Sequence, residues 1–114
     1  MADDALDLPY GTVDLLILKT LSWGPMHGYA VSRWVRERTA GTLAIDDAAL
    51  YQGLHRLERR GWIRAEWGQS ENNRRARFYA LTAGGRQQLR RESVLWRRYV
   101  EALTRVLEAR TVEG

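Results

Sequence analysis

Between His55 and Arg77 the chain sets seven arginines (56, 59, 60, 64, 74, 75 and 77) against three glutamates (58, 66 and 71). The segment carries +4, the formal net charge of the whole 114-residue chain, so everything outside it sums to zero. Positive charge at this density faces either phosphate or water. Beside these arginines stand Tyr51, Gln52 and His55. Glutamine pairs with adenine, arginine with guanine, and tyrosine or histidine reaches phosphates or a thymine methyl. Catalytic chemistry has far less to work with. No cysteine is present, which excludes disulfides, thiol nucleophiles and cysteine-ligated metals. His27 and His55 are the only histidines, with no carboxylate cluster beside either in sequence. No glycine-rich phosphate loop or nucleophile motif occurs. The residues therefore point away from an enzyme, a cofactor or a metal site, and His27, in a turn before a helix, is expected to be a structural hydrogen-bonding residue.

The elements that must position the basic cluster follow from periodicity. Asp47 to Arg60 reads as a helix, with Leu50, Leu54 and Leu57 as its buried stripe. Ala48, Tyr51, Gln52, His55, Arg56 and Arg59 then lie on or near the opposite face. Asp46 or Asp47 caps this helix and Gly61 ends it. Gly53 in its interior costs about 1 kcal/mol against alanine. It admits close approach of DNA, admits another helix, or has no role; the residues leave all three open. Two strands follow, Trp62 to Trp67 and Arg75 to Leu81, joined by a tip from Gly68 to Arg74. Asn72, Asn73, Arg74 and Arg75 sit at the tip with Arg77 behind. A helix followed by a basic hairpin is the plan of a winged helix-turn-helix. The helix suits the major groove and the wing suits the backbone or minor groove of double-stranded DNA. The plain alternative for the tip is a solvated hairpin in which Glu66 and Glu71 pair with the arginines.

Upstream, residues 1–9 are acidic, end at Pro9 and are expected to form a flexible arm. Thr12 is the expected N-cap of a first helix reaching about Ser22. That helix is apolar nearly all round (Val13, Leu15, Leu16, Ile17, Leu18, Leu21) and needs cover on more than one side. Trp23 to Gly28 is a turn by composition. A second helix runs from about Gly28 to Arg38, with Gly41 as its expected C′ residue. Most of the five tryptophans are expected in the core, and Gly84-Gly85 is read as no more than a helix opening.

Thr82 caps a final helix to about Ala109. Along it Leu89, Ser93, Trp96, Val100, Leu103 and Leu107 step by 4, 3, 4, 3, 4, a heptad seam widened by Leu95, Tyr99, Ala102 and Val106. At 1.5 Å per residue such a helix is roughly 40 Å long, more than one small domain can cover. A homodimer follows, with Leu15, Leu18, Leu89, Trp96, Tyr99, Val100, Leu103 and Leu107 at its interface; packing on the chain's own domain is the alternative. In a two-fold dimer Trp96 either packs the seam or leaves a flat slot for a small planar aromatic effector. The expected organisation is mainly α with a small β-hairpin: arm 1–9, winged helix-turn-helix 10–82, dimerisation helix 83–110. The acidic start lacks the order of a signal peptide, and the longest apolar run, Leu15 to Leu18, is far short of a membrane span. A cytoplasmic protein is expected, with no membrane partner.

These segments together resemble the PadR family of bacterial transcriptional regulators. The matching residues are Asp14-Leu15-Leu16-Ile17-Leu18 and Gly24-Pro25-Met26-His27-Gly28-Tyr29. Further on they are Leu50-Tyr51, Leu54 through Ile63, Glu71 through Thr82, and Gly85-Arg86. The resemblance covers about residues 10–90 and fits the compact branch with one C-terminal helix. It implies a homodimer held by the last helix with help from the first, and repression on inverted repeats, often in the regulator's own promoter. It also implies that some members release DNA on binding phenolic acids or flat drugs, a tryptophan on the dimer helix stacking on the ligand; Trp96 is placed for that. One departure stands out: the family's third helix opens Gly-Ser/Thr-Leu-Tyr-Pro, whereas this chain has Ala48-Ala49-Leu50-Tyr51-Gln52. The hydroxyl that would touch a phosphate is missing at Ala49. A winged helix that binds protein partners instead of DNA is the other reading of the fold; the charge excess argues against it.

Overall fold

Three leucines at helical spacing organise the chain. Leu50, Leu54 and Leu57 are all buried on α3 (Asp47–Arg59), whose inner face meets the first two helices and the second strand. The structure is a computed structural model that describes residues 5–9, 11–69 and 71–110. Asp46 caps α3, its Oδ1 accepting from the Ala49 N–H at 2.7 Å. Gly61, at φ 77°, ends the helix by letting the Trp62 N–H reach the Leu57 carbonyl at 3.0 Å.

Helix α1 (Thr12–Leu21) lies across α3 and also packs on α2 (Gly28–Arg38), α4 (Ala83–Glu108) and the sheet. Gly53 admits this crossing: a Cβ there would stand 2.8 Å from Ile17 Cδ1 and 3.2 Å from Val13 Cγ1. The glycine thus serves a helix contact, not DNA. Thr12 is not the N-cap of α1. Gly11 holds that position with no side-chain cap, and the buried Thr12 hydroxyl has no hydrogen-bond partner among the described residues. The Thr12 N–H instead closes a turn onto the Pro9 carbonyl at 3.0 Å. Of the expected arm, Met1–Asp4 lie outside the described residues. The rest lies against the domain, with Leu8 on the core and the Leu6 N–H on the Thr42 carbonyl at 2.8 Å.

The stretch expected as a plain turn contains a strand, β1 (Met26–His27). It pairs antiparallel with β3 (Arg75–Leu81), Met26 opposite Tyr79 and His27 opposite Phe78. With β2 (Ile63–Gln69) this makes a three-stranded sheet of order β1-β3-β2. Two residues are too few for an alternation signal, so only the pairing reveals the strand. His27 also caps α2, its Nδ1 accepting from the Ala30 N–H at 3.2 Å, which bears out its structural role. At the other end of α2, Ala40 at φ 50° takes the C′ position expected of Gly41, which follows at φ 83°. Pairing of β2 with β3 runs from Ile63↔Leu81 to Gln69↔Arg75, so Gly68 and Gln69 belong to the strand and the tip shortens to residues 70–74. Ser70 lies outside the described residues.

The tryptophans correct the sequence expectation: none belongs to the fully buried core. Trp34 and Trp62 pack at its edge, while Trp23 and Trp67 are exposed. Four of the five carry a cation over the ring: Lys19 on Trp23, Arg38 on Trp34, Arg60 on Trp62 and, nearest at 4.4 Å, Arg75 on Trp67. An indole shielded by a guanidinium can stay at the surface with part of its area covered.

Thr82 caps α4 as expected, accepting from the Gly85 N–H at 3.1 Å, and donates to the Gly61 carbonyl at 2.6 Å. Gly85 does more than open the helix. A Cβ there would collide with the Trp62 carbonyl, so α4 seats directly on the start of β2. Leu89 packs on the domain's own core, and beyond Trp96 every residue of the helix is exposed, the chain with this helix measuring 64 × 34 × 21 Å. Tyr99, Val100, Leu103, Val106 and Leu107 are all exposed. Leu18, expected at a partner face, is 0% exposed and belongs wholly to the internal core. Apolarity all round α1 reflects internal cover by four elements, which leaves Leu15 only half-buried.

Candidate nucleic-acid interface

With the leucine stripe inward, α3 presents Ala48, Tyr51, Gln52, His55 and Arg59 to solvent. Gln52, His55, Arg56 and Arg59 line one shallow hollow along this face. Arg56 differs from its neighbours. Its Nε donates to Asp14 Oδ2 at 3.2 Å and its Nη2 to Asp14 Oδ1, a fork onto α1 that leaves the two side chains 35% and 12% exposed. Arg56, expected to contact DNA, has a guanidinium that fixes α3 against α1 while it lines the same hollow as Gln52, His55 and Arg59. Asp14 lies 42 positions away and on another helix, so periodicity could not reveal the pair.

Alternation on β3 puts Arg75, Arg77 and Tyr79 on one face, with Trp67 opposite Arg77 in register. Arg77 Nη2 donates to Glu58 Oε2 at 3.1 Å, which ties the wing to α3. Arg75 lies over Trp67. Asn72, Asn73 and Arg74 are exposed at the tip, Asn73 at φ 60°. Between wing and helices runs a groove bordered by His27, Gly28, Tyr29, Tyr51, Trp67, Asn72, Arg75, Ala76, Arg77 and Tyr79. Tyr51 of α3 and Arg75 of the wing therefore face the same space. Tyr29, Trp67 and Tyr79 were missed by the sequence reading; stepping by two from Arg75 would have found Tyr79.

The groove is basic and aromatic at its rim. At its floor, burial raises the Tyr79 phenol above its ordinary value of 10.0, and the nearby Arg77 charge partly opposes this. The phenol stays protonated, a hydrogen-bond donor, at neutral pH. Among the described residues no group of three metal-ligating side chains gathers, and no helix is long and apolar enough to cross a membrane. A separate apolar hollow on α4 is lined by Leu95, Trp96 and Tyr99 with Pro9, the Trp96 ring edge-on to Tyr99 at 5.9 Å.

Comparison with known proteins places this geometry. The family described as "Transcriptional regulator PadR-like family" matches residues 17–91. A transcriptional regulator from Clostridium thermocellum is 27% identical, with a TM-score of 0.75 over 83% of this chain and 92% of that one. A PadR family transcription regulator from Clostridium difficile is also 27% identical, with a TM-score of 0.74 over 85% of this chain and 99% of that one. Bacillus subtilis PadR, solved in complex with operator DNA, shares the fold at 20% identity and a TM-score of 0.64, over 93% of this chain and 52% of its own. The matched span runs from the middle of α1 through the wing into α4. The chain belongs to the PadR-like family of transcriptional regulators, a family of regulators and not of enzymes.

Proposed function

We propose that this protein is a sequence-specific DNA-binding repressor that works as a homodimer on an inverted repeat, including one in its own promoter. One observation carries the reading: the outward face of α3 and the cations of the wing open onto a common groove, bordered by Tyr51 on one side and Arg75 on the other. In this reading α3 enters the major groove with Gln52, His55 and Arg59 toward base edges and phosphates. Asn72, Asn73, Arg74 and Arg75 follow the adjacent backbone, which supplies most of the affinity and its salt dependence. Gln52, where the family pattern has proline, is exposed on the reading face and suits adenine. The operator complex of the Bacillus subtilis relative, which has the same fold, supports the reading.

Support for the dimer comes from α4, whose exposed Tyr99, Val100, Leu103 and Leu107 continue the seam beyond Trp96. Two copies joined there would present two α3 helices about one helical turn, roughly 34 Å, apart. The hollow at Trp96 is the proposed seat of a planar aromatic effector. A ligand wedged there would alter the angle between the two α4 helices and so the spacing of the reading heads.

The decisive experiment is fluorescence anisotropy with the protein's own upstream intergenic DNA and a shuffled duplex at two salt concentrations. Tight binding of the first alone, weakening steeply with salt, supports an autoregulatory DNA-binding protein. Equal weak binding to both moves the operator elsewhere or assigns the wing to a protein partner. For the effector, planar aromatic compounds are titrated while tryptophan emission is followed; no quenching and no change in DNA affinity would reduce the seam to structure.

A further inference from the structure

The floor of the groove between α3 and the wing is a largely buried ring whose hydroxyl bonds no described residue. Tyr79 is 7% exposed and lines the groove, yet its hydroxyl has no hydrogen-bond partner among the described residues. Within the described residues only the Thr12 hydroxyl is both buried and unpartnered, so the Tyr79 hydroxyl is open to the groove. The acceptor closest at hand by charge, Glu58, is taken by Arg77. What surrounds the hydroxyl is positive. Arg77 acts on it directly, Arg75 stands at the rim over Trp67, and the groove is closed by Gly28 at the N-terminus of α2, the positive end of that helix dipole. A protonated donor in a positive notch lacks one thing, an anionic oxygen.

We propose that Tyr79 is a phosphate anchor: its O–H donates to a non-bridging oxygen of one backbone phosphate of bound duplex DNA, with Arg75 and Arg77 supplying the charge around it. The proposal rests on the DNA-binding reading above and adds to it a neutral contact that sets register without reading a base.

The test is Tyr79→Phe, which keeps the ring and removes the oxygen. Wild type and variant are compared by anisotropy over a salt series, on a duplex recovered by in vitro selection with the wild-type chain and on a shuffled duplex. Thermal midpoints are recorded alongside. Affinity should fall about tenfold on both duplexes, as for a lost hydrogen bond to a charged group. The salt slope should not change, because a neutral donor releases no counterion; Arg75→Ala should lower the slope by about 1. The midpoint of Tyr79→Phe should stay level, since the hydroxyl that is lost bonds no described residue and opens to the groove. Replacing one phosphate at a time by methylphosphonate should reveal a position that costs the wild type more affinity than it costs the variant, which keeps only the attraction of Arg75 and Arg77. Unchanged affinity in Tyr79→Phe overturns the anchor and leaves the DNA-binding reading standing. A lowered midpoint that accounts for the whole loss of affinity also overturns it, in favour of a structural role. A wild-type chain that selects no duplex and binds neither at low salt overturns both.

Discussion

Arg56 and Asp14 are joined by two hydrogen bonds across 42 positions of sequence, one helix end gripping the start of another. The pair fixes α3 against α1, and α1 in turn rests on α4. Arg56→Ala and Asp14→Ala are each expected to lower stability by about 1–2 kcal/mol, the range for a bidentate, half-buried pair. The double variant should cost little more than either alone. Urea unfolding of the four proteins measures this; strict additivity would show that the fork contributes nothing.

Arg59 and Gln52 are expected to separate by kind of contact. Arg59→Ala should weaken binding on all sequences and lower the salt slope by about 1. Gln52→Ala should leave the slope alone and relax base preference by about 1–3 kcal/mol at one position per half-site. Competition with a set of single-base operator variants reads both. Equal losses on every duplex for Gln52→Ala would remove it from base reading.

Two adjacent glycines should behave oppositely. Gly85→Ala drives a methyl group into the Trp62 carbonyl and should cost about 2–4 kcal/mol, the scale of a serious steric misfit. Gly84→Ala meets only ordinary contacts, 3.7 Å at the nearest, and should be neutral or stabilising by about 0.5 kcal/mol. Thermal melts of the two variants check this; a benign Gly85→Ala would mean that α4 can shift its seat on β2.

High pH should find Tyr79. Its folded pKa is raised above 10.0, so the folded protein holds that proton more tightly than the unfolded chain does. The resulting stability is whole below pH 10 and is lost as pH climbs through the raised value. Wild type should therefore lose unfolding free energy above pH 10 faster than Tyr79→Phe does. Superimposable pH profiles for the two would contradict the assigned cause.

Val100→Glu or Leu103→Glu should yield monomers with the winged domain intact, since both side chains are exposed on α4 and leave the core untouched. Sedimentation velocity gives the mass and circular dichroism the fold. A wild type that sediments as a monomer, or a glutamate variant that stays dimeric, would put the seam elsewhere.

Much of this architecture was legible because its signals are local. The Leu50, Leu54 and Leu57 stripe, the Asp46 and Thr82 caps, and the bounds of β3 depend on neighbours within a few residues. What sequence missed depends on distant pairing. Met26–His27 is a strand only because β3 lies beside it, and Gly85 is indispensable only because Trp62 passes overhead. Arg56 and Arg77 have the look of free cations in sequence and find carboxylates on other elements. Leu18 was drawn toward a partner by the apolarity of α1, whose cover turns out to be internal. The candidate site was therefore readable as a region, the α3 face and the wing, while the division of labour within it was not.

Abundance enters the physics of this chain through α4. Seven apolar side chains from Val94 to Leu107 stand between 44% and 75% exposed along its far end. If two copies pair along α4, as proposed, a newly made copy carries that apolar rod uncovered until it meets another, and the waiting time lengthens as copies become scarce. Proteolysis and misassembly compete during that wait. For a regulator that pairs along α4 and governs its own gene, scarcity and fragility then become a single condition: the thinner the supply, the shorter each molecule survives, and the sooner synthesis is called for again.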